Sequence, residues 1–426
     1  MSDNNKINTR MIAFETLLEI LEHGQFSHIY LKAVLDKYAY LDKNERAFIT
    51  RLVNGTVERK LQLDYIIDSF SKTKVKKMKP VIRTIMRMGA YEIFYMDSVP
   101  DSATCNEYVK IAKKKGFTGL SGFVNGVLRN ISRQKSEVKF TDLCTKYSMP
   151  QWIVDKWTSE YGKEQTEEIL KGFYEPQDLC IRVNLSKVTR EELKEKLESR
   201  NISVRICDTI DSACYINGYD SLASIPEFNQ GLFYIQDYSS QLVPYKAGIK
   251  DTDKVIDVCA APGGKALHAA QIASQGSVEA RDLTEAKVSL INENIQRTGA
   301  TNITAKQWDA TEFDQAAENQ YDVVIADLPC SGLGIIRKKP DIKYNQTEES
   351  LNELVQLQAN ILDTVCKYVK DGGTLCYSTC TINKDENENQ VSNFLSSHKD
   401  FTMVNMEQLL PDSSHDGFFI CVMKKN

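Results

Sequence analysis

From about residue 236 onward, short β-rich runs alternate with helical patterns at regular spacing, and this constrains the chain more than any other feature. Strands are predicted at Lys254–Val258, Ser277–Asp282, Ile303–Gln307, Tyr321–Ala326 and Thr374–Ser378, with helices starting at Gly264, Glu285, Thr347 and Lys384. The helix after Thr347 places Leu351, Leu354, Val355, Leu362 and Val365 on one face and is predicted to stop before Asp371-Gly372-Gly373. Such alternation predicts an α/β fold, a doubly wound Rossmann-like parallel sheet. In such sheets ligands bind at the carboxyl ends of the strands, so the residues just after each strand carry the functional information.

The first strand runs into Asp257-Val258-Cys259-Ala260-Ala261-Pro262-Gly263-Gly264-Lys265. Small residues and two glycines let a ligand approach the backbone, and a helix N-terminus follows. Adjacent glycines followed by Lys265 and Ala266 exclude a Walker A loop, and there is no Gly-x-Gly-x-x-Gly. The second strand ends in Asp282, at the distance where an acid accepts hydrogen bonds from ribose hydroxyls. Asp309 follows the third strand, where it can meet an adenine amino group. A nucleoside cofactor without a pyrophosphate fits best, and S-adenosylmethionine is such a molecule.

The fourth strand leads into Asp327-Leu328-Pro329-Cys330-Ser331-Gly332-Leu333-Gly334 and the fifth into Ser378-Thr379-Cys380-Thr381. Two thiols thus fall at the carboxyl ends of neighbouring strands, in turns rich in Gly, Ser and Thr. Any single cysteine is usually a small buried hydrophobe, but this placement of two points to chemistry. Methylation at carbon 5 of a pyrimidine requires a thiolate to add to carbon 6, because carbon 5 is not itself nucleophilic. Asp327 can meet ring nitrogen 3, and a base must remove the carbon 5 proton. An adenine amino-methyltransferase would carry Pro-Pro-aromatic where Leu328-Pro329-Cys330 stands. Residue types alone leave the two thiols unranked, since Pro-Cys carries the nucleophile of DNA cytosine methyltransferases.

Two further segments precede this one. Residues 1–135 read as all-helical, with apolar residues at helical spacing and Gly55, Gly89, Gly116 and Pro100 at predicted helix ends. They hold 23 Lys+Arg against 14 Asp+Glu, whereas the remainder has a net charge of -14. Lys72, Lys74, Lys76, Lys77 and Lys79 form one cluster and Lys113–Lys115 another, which suits an RNA partner. Residues 142–235 read as a small α+β domain. It has a helix over 151–173, strands at Cys180–Asn184, Ile202–Ile206 and Leu232–Ile235, and a helix capped by Thr189 and Glu192. Arg182 and Asn184 are candidates for RNA contact or for a strand-end structural role. Arg337-Lys338-Lys339-Pro340-Asp341, after the Cys330 loop, is predicted to contact phosphates. With 42% apolar and 26% charged residues and a mean hydropathy of -0.37, the chain has material for sizeable cores. It has neither a membrane-length apolar run nor an apolar leader, so a cytoplasmic location is expected. Eleven scattered cysteines without a Cys-x-x-Cys pair, and only five histidines, speak against a disulfide framework and a metal site.

Asp257–Lys265, Asp327–Gly334 and Ser378–Thr381 closely resemble the motifs of RNA cytosine-5 methyltransferases of the NOP2/Sun type. Arg46–Phe48, Leu52–Thr56, Leu63-Asp64, Met88–Glu92 and Phe123–Asn130 resemble a NusB-type RNA-binding domain. Gln236–Gln241 and His415–Phe419 are also similar to the family, and only Ala90 and Tyr238 look like variants. The order of parts resembles the bacterial members that act on small-subunit ribosomal RNA. The resemblance implies a NusB-like domain over 1–135, a ferredoxin/RRM-like domain over 142–235 and a class I methyltransferase domain over 236–426. It implies that Cys259, Ala260, Ala261, Pro262, Gly263, Gly264 and Lys265 line an S-adenosylmethionine site. Asp282 would hold the ribose, Asp309 would lie by the adenine, and Asp327 would sit between cofactor and cytosine. Cys380 would be the nucleophile and Cys330 would assist product release. The implied partner is small-subunit (16S) ribosomal RNA, reached at an unstacked cytosine, by a chain expected to be monomeric and free of metal and membrane. Two alternatives stand beside this: the same chemistry on transfer RNA, and a non-catalytic RNA-binding or antitermination factor.

Overall fold

The computed structural model describes residues 8–426. They form two compact units, one comprising residues up to Lys171 with Ile336–Asn345, the other Gly172–Ile335 with Gln346–Asn426.

The first unit is helical. Its helices include Thr9–His23, Lys43–Glu58, Lys60–Phe70, Pro80–Tyr95, Asp101–Lys114 and Ser121–Gln134. Asp42 and Glu45 form a capping box at the start of Lys43–Glu58, as the first free N–H groups of a helix require. Phe14, Leu17, Leu52, Ile66, Ile85 and Leu128 are wholly buried in the core. Gly116, in a left-handed conformation, and Pro100 mark helix ends as predicted. Gly55 and Gly89 do not, because they sit mid-helix at close helix crossings. A Cβ on Gly55 would fall 2.0 Å from the Tyr91 ring, and one on Gly89 2.7 Å from Leu128. Helix Gln151–Tyr161 ends at Gly162 (φ 78°), which splits the single helix predicted over 151–173 in two. Residues 142–171 pack with this unit, where Gln62 Nε2 donates to the Lys146 carbonyl and the Leu61 N–H to Ser148 Oγ.

The segment 336–345 is tied into the same unit. Ser27 donates its N–H and its hydroxyl to the two carboxylate oxygens of Asp341. Lys343 Nζ and the Tyr344 hydroxyl both donate to the Glu58 carbonyl. Asp341, read from the sequence as part of a phosphate-contacting run, is therefore a buried anchor.

The second unit contains two sheets. The smaller has strands β1 (Leu179–Val183), β2 (Ser203–Ile206), β3 (Ala213–Asn217) and β4 (Phe233–Ile235) in the antiparallel order β2-β3-β1-β4. The predicted Thr189–Glu192 capping box is formed. Arg182 is wholly buried, its guanidinium 4.3 Å over the Tyr234 ring and bonded to Gln271, and Asn184 donates to the Gly231 carbonyl. Both residues are structural, and the RNA contact suggested for them is excluded by burial.

The larger sheet has strands β5 (Lys254–Asp257), β6 (Ser277–Asp282), β7 (Ile303–Gln307), β8 (Tyr321–Asp327), β9 (Val369–Thr379), β10 (Phe401–Leu409) and β11 (Phe418–Lys425), ordered β10-β11-β9-β8-β5-β6-β7. β5 to β9 are parallel, as expected for a Rossmann-like fold. Val255, Ile256, Val324, Ile325, Leu375 and Cys376 are wholly buried, as strands covered on both faces must be. β9 starts five residues earlier than predicted. The helix Glu348–Val365 yields to a short 3-10 turn, and Asp371-Gly372-Gly373 lies inside the strand, where Gly372 (φ 70°) accompanies a register shift against β8. The antiparallel strands β10 and β11 extend the sheet beyond the predicted five. No helix among the described residues is long and apolar enough to cross a membrane.

Candidate active site

The strand order reverses between β5 and β8, which leaves a crevice at their carboxyl ends. The loop after β5 enters it as a tight backbone cradle. Ala260 N–H donates to the Arg281 carbonyl, Ala261 N–H to Asp282 Oδ2, and Gly263 N–H to the Ala260 carbonyl. Gly263 caps the helix Gly264–Ile272 at φ 102°, a conformation that favours glycine. Nothing crowds Gly264, since a Cβ there would meet only Gln236 at 3.9 Å. This cradle of small side chains at a helix N-terminus fits a nucleoside-bearing cofactor.

Asp282, at the end of β6, bonds the N–H groups of Ala261 and Leu283 and pairs with Lys287 Nζ at 2.9 Å. A carboxylate has about four lone-pair sites, so capacity for a ribose hydroxyl remains. The Trp308 N–H after β7 donates to the Asp282 carbonyl, which brings the next residue, Asp309, beside that strand end. Asp309 holds its own turn through the N–H and hydroxyl of Thr311.

Asp327 ends β8 at the centre of the crevice. Lys265 Nζ lies 2.6 Å from its Oδ2 and Ser378 Oγ donates to its Oδ1 at 2.7 Å. Burial would lower the Lys265 pKa, but the Asp327 carboxylate outweighs it and the net shift is upward. Asp257, at the end of β5, is 1% exposed with Oδ1 lacking a hydrogen bond. Burial, reinforced by the negative charge of Asp327, pushes its pKa up to about 7. Burial also raises the Cys259 thiol, which marks Cys259 as a lining group rather than a nucleophile.

The two predicted thiols meet. Cys330 Sγ and Cys380 Sγ are 3.3 Å apart. The contact with Cys380, together with burial, raises the Cys330 pKa well above its ordinary value. The two sulfurs are within hydrogen-bond reach, so a proton held on one can stabilise negative charge on the other. The loops carrying them are joined by backbone hydrogen bonds from Gly334 N–H to the Cys380 carbonyl and from Gly417 N–H to the Gly334 carbonyl. A Cβ on Gly334 would fall 2.1 Å from the Gly417 oxygen, so glycine is required there.

The structure thus gathers the Cys259–Lys265 loop, Asp282, Asp327, Cys330 and Cys380 at one end of the sheet, with Asp309 at its flank. Three contributors were not legible in the sequence. Ser378 was seen only as the strand end that opens the Cys380 motif, Asp257 only as the start of the loop motif, and Glu386 lies in a polar run read as the beginning of a helix. That helix begins at Glu388 instead, because Asn383, Glu386 and Asn387 turn their side chains into buried hydrogen bonds around the thiol loops.

Comparison with known proteins agrees with this geometry. The 16S rRNA methyltransferase RsmB/F family matches residues 247–424, the NusB family residues 7–133, and the RsmF/B-like ferredoxin-like domain residues 149–221. The chain is similar to the probable ribosomal RNA small subunit methyltransferase B of Bacillus subtilis, 36% identical over 99% of each chain. It is 32% identical to the ribosomal RNA small subunit methyltransferase B of Proteus mirabilis, over 98% of this chain and 99% of that one. Among solved structures, PH0851 superimposes with a TM-score of 0.84 at 23% identity, covering 99% of this chain and 100% of the other. NSun6 from Pyrococcus horikoshii, solved with SFG, gives 0.60 at 21% identity over 65% of this chain and 98% of its own. These two likenesses establish the fold alone. The full-length identities establish more: the chain belongs to the ribosomal RNA small subunit methyltransferase B family.

Proposed function

We propose that this protein transfers a methyl group from S-adenosylmethionine to carbon 5 of a cytosine in small-subunit ribosomal RNA, through a covalent bond between Cys380 and carbon 6. The observation that carries the reading is the 3.3 Å approach of two thiols at the carboxyl ends of adjacent strands, beside a carboxylate held by a lysine. Amine or oxygen methylation has no use for such a pair. The names of the full-length relatives favour ribosomal RNA over transfer RNA, and the intact site favours an enzyme over a binding module.

The cofactor supplies an electrophilic methyl group; the rest falls to the chain. The cradle Cys259–Lys265 and Asp282 bind and orient the nucleoside end, with Asp309 beside the base. Cys380 attacks carbon 6 as a thiolate, its charge supported by the Cys330 proton. As carbon 6 is attacked, nitrogen 3 gains electron density and takes a proton from Asp327, which is resupplied by Lys265 Nζ 2.6 Å from its Oδ2 while Ser378 keeps the carboxyl in place. After carbon 5 has gained the methyl group it must lose its proton. A base takes that proton, the electron pair left behind restores the ring double bond and expels the Cys380 thiolate, and Cys330 assists this release by supporting the charge on the departing sulfur.

The test is transfer of labelled methyl to small-subunit ribosomal RNA and to transfer RNA by wild type, Cys380→Ser and Cys330→Ser. Label should appear in 5-methylcytosine of the ribosomal RNA and fall at least about 1,000-fold in Cys380→Ser, as expected when a nucleophile is removed. Cys330→Ser should retain a denaturation-resistant protein–RNA adduct. Full activity in Cys380→Ser would reverse or sink the thiol assignment. Label in transfer RNA alone would move the substrate, and RNA binding without any methyl transfer would leave a binding module.

A further inference from the structure

Glu386 is wholly buried a few residues beyond Cys380, and it reaches toward the other thiol loop. Its Oε1 accepts from the Ser331 N–H at 2.8 Å and from Gln358 Nε2 at 3.2 Å. Its Oε2 accepts from Ser331 Oγ at 2.6 Å and from Asn383 Nδ2 at 2.8 Å. Ser331 directly follows Cys330. Its hydroxyl also meets Thr381 Oγ1 at 2.8 Å, and Thr381 directly follows Cys380. One carboxylate therefore holds the residue after one thiol and, through a single hydroxyl, the residue after the other.

We propose that Glu386 is the positioning residue that sets the distance between Cys330 and Cys380, and that it must be an ionised carboxylate to do so. Four donors converge on two oxygens. Only a carboxylate offers acceptors alone at both atoms. A glutamine would turn an NH2 group toward one of the two donor pairs, which would break the clasp while keeping the side-chain volume. A buried charge surrounded by hydrogen-bond donors is costly to disturb, which suits a spacer that must not drift. The sulfurs lie on separate loops, which backbone hydrogen bonds also join before them, from Leu328 N–H to the Ser378 carbonyl, and after them, at Gly334. Displacement by about 1 Å is enough to cost about 100-fold in a step that depends on aligned groups.

The role in turnover rests on the proposed cytosine chemistry, but the spacing does not, so the experiment reads both. Full-length wild type, Glu386→Gln and Ser331→Ala are treated with diamide, which takes two electrons and two protons from the Cys330–Cys380 pair and is reduced to its hydrazine. Disulfide formation at that pair is followed by peptide mapping. Methyl transfer to small-subunit RNA is measured in parallel under reducing conditions. Glu386→Gln should slow disulfide formation and lower kcat, each by about 10- to 100-fold, with KM for cofactor and RNA within about twofold of wild type. Ser331→Ala, which keeps the N–H contact and loses the hydroxyl bridge, should show a smaller loss in both and serves if Glu386→Gln does not fold. Wild-type disulfide rates in the folded variants would overturn the proposal. Slowed disulfide formation with unchanged kcat would uphold the spacing and overturn its role in turnover. If wild type transfers no methyl group, the enzymatic reading fails while the disulfide rates still decide the spacing.

Discussion

Each compact unit buries one ionisable side chain whose pKa is driven to about neutrality, and the two are opposite in kind. In the sheet unit Asp257 is raised to about 7 by burial and by Asp327. In the helical unit Lys343 is lowered to about 7, chiefly by burial, against the opposing pull of Glu58. Lys343 has its hydrogen bond, to the Glu58 carbonyl, and anchors a segment. Asp257 has an oxygen without a hydrogen bond and stands near Lys265 and Asp327, buried at the end of β5. The first is a cost of packing, offset by what it ties down. The second is an unsatisfied carboxylate beneath the proposed cofactor loop, the pattern that perturbed groups show at working sites.

The contrast is sharpest in its pH signature. An acid with a raised folded pKa binds more protons folded than unfolded, so Asp257 lowers stability as pH rises from about 4 to about 7. A lysine with a lowered folded pKa binds fewer protons folded, so Lys343 raises stability as pH climbs from about 7 to about 10.5. At 1.36 kcal/mol per pK unit, the larger effect belongs to Lys343→Met. Relative to wild type, that variant should be more stable at pH 6 than at pH 10, because the cost of the buried charge falls on wild type at the lower pH while the lost hydrogen bond to the Glu58 carbonyl weighs equally at both. Hydrogen exchange of peptides from that unit at the two pH values checks this, and equal protection would break the comparison. Asp257→Asn should stabilise the sheet unit at pH 8 by up to about 4 kcal/mol and leave pH 4 unchanged. Cofactor affinity should fall in the same variant, because its charge helps fix Lys265. Unchanged affinity would make Asp257 another structural group like Lys343. The smallest effect is expected for Ser378→Ala, which removes one charge-assisted hydrogen bond from Asp327. It should cost about 1.5 to 3 kcal/mol of stability in the sheet unit, read by denaturant unfolding, and at least as much in the barrier to methyl transfer.

The sequence carried the parallel strands, the cofactor loop and both thiols because each is a local signal: a periodicity, a glycine pair, a residue type after a strand. What it hid depends on contacts between distant residues. Gly55 and Gly89 looked like helix ends because the aromatic and aliphatic side chains crossing them come from elsewhere in the chain. β10 escaped notice because an edge strand exposed over Thr402–Met406 has no alternating burial to show. Glu386 was read as helix because its donors, Ser331 and Gln358, lie 55 and 28 residues away. Asp327 was recognised, but its grip by Lys265 crosses 62 residues and leaves no trace in spacing.

β11 lies between β9 and β10, and the turn before it bonds through Gly417 to the loop that bears Cys330. Strand β11 is also the last strand of the sheet in chain order among the described residues. The Gly417 bond to Gly334 therefore links that strand to the thiol loops, so a substitution that loosens β11 should be felt at Cys330 without touching it.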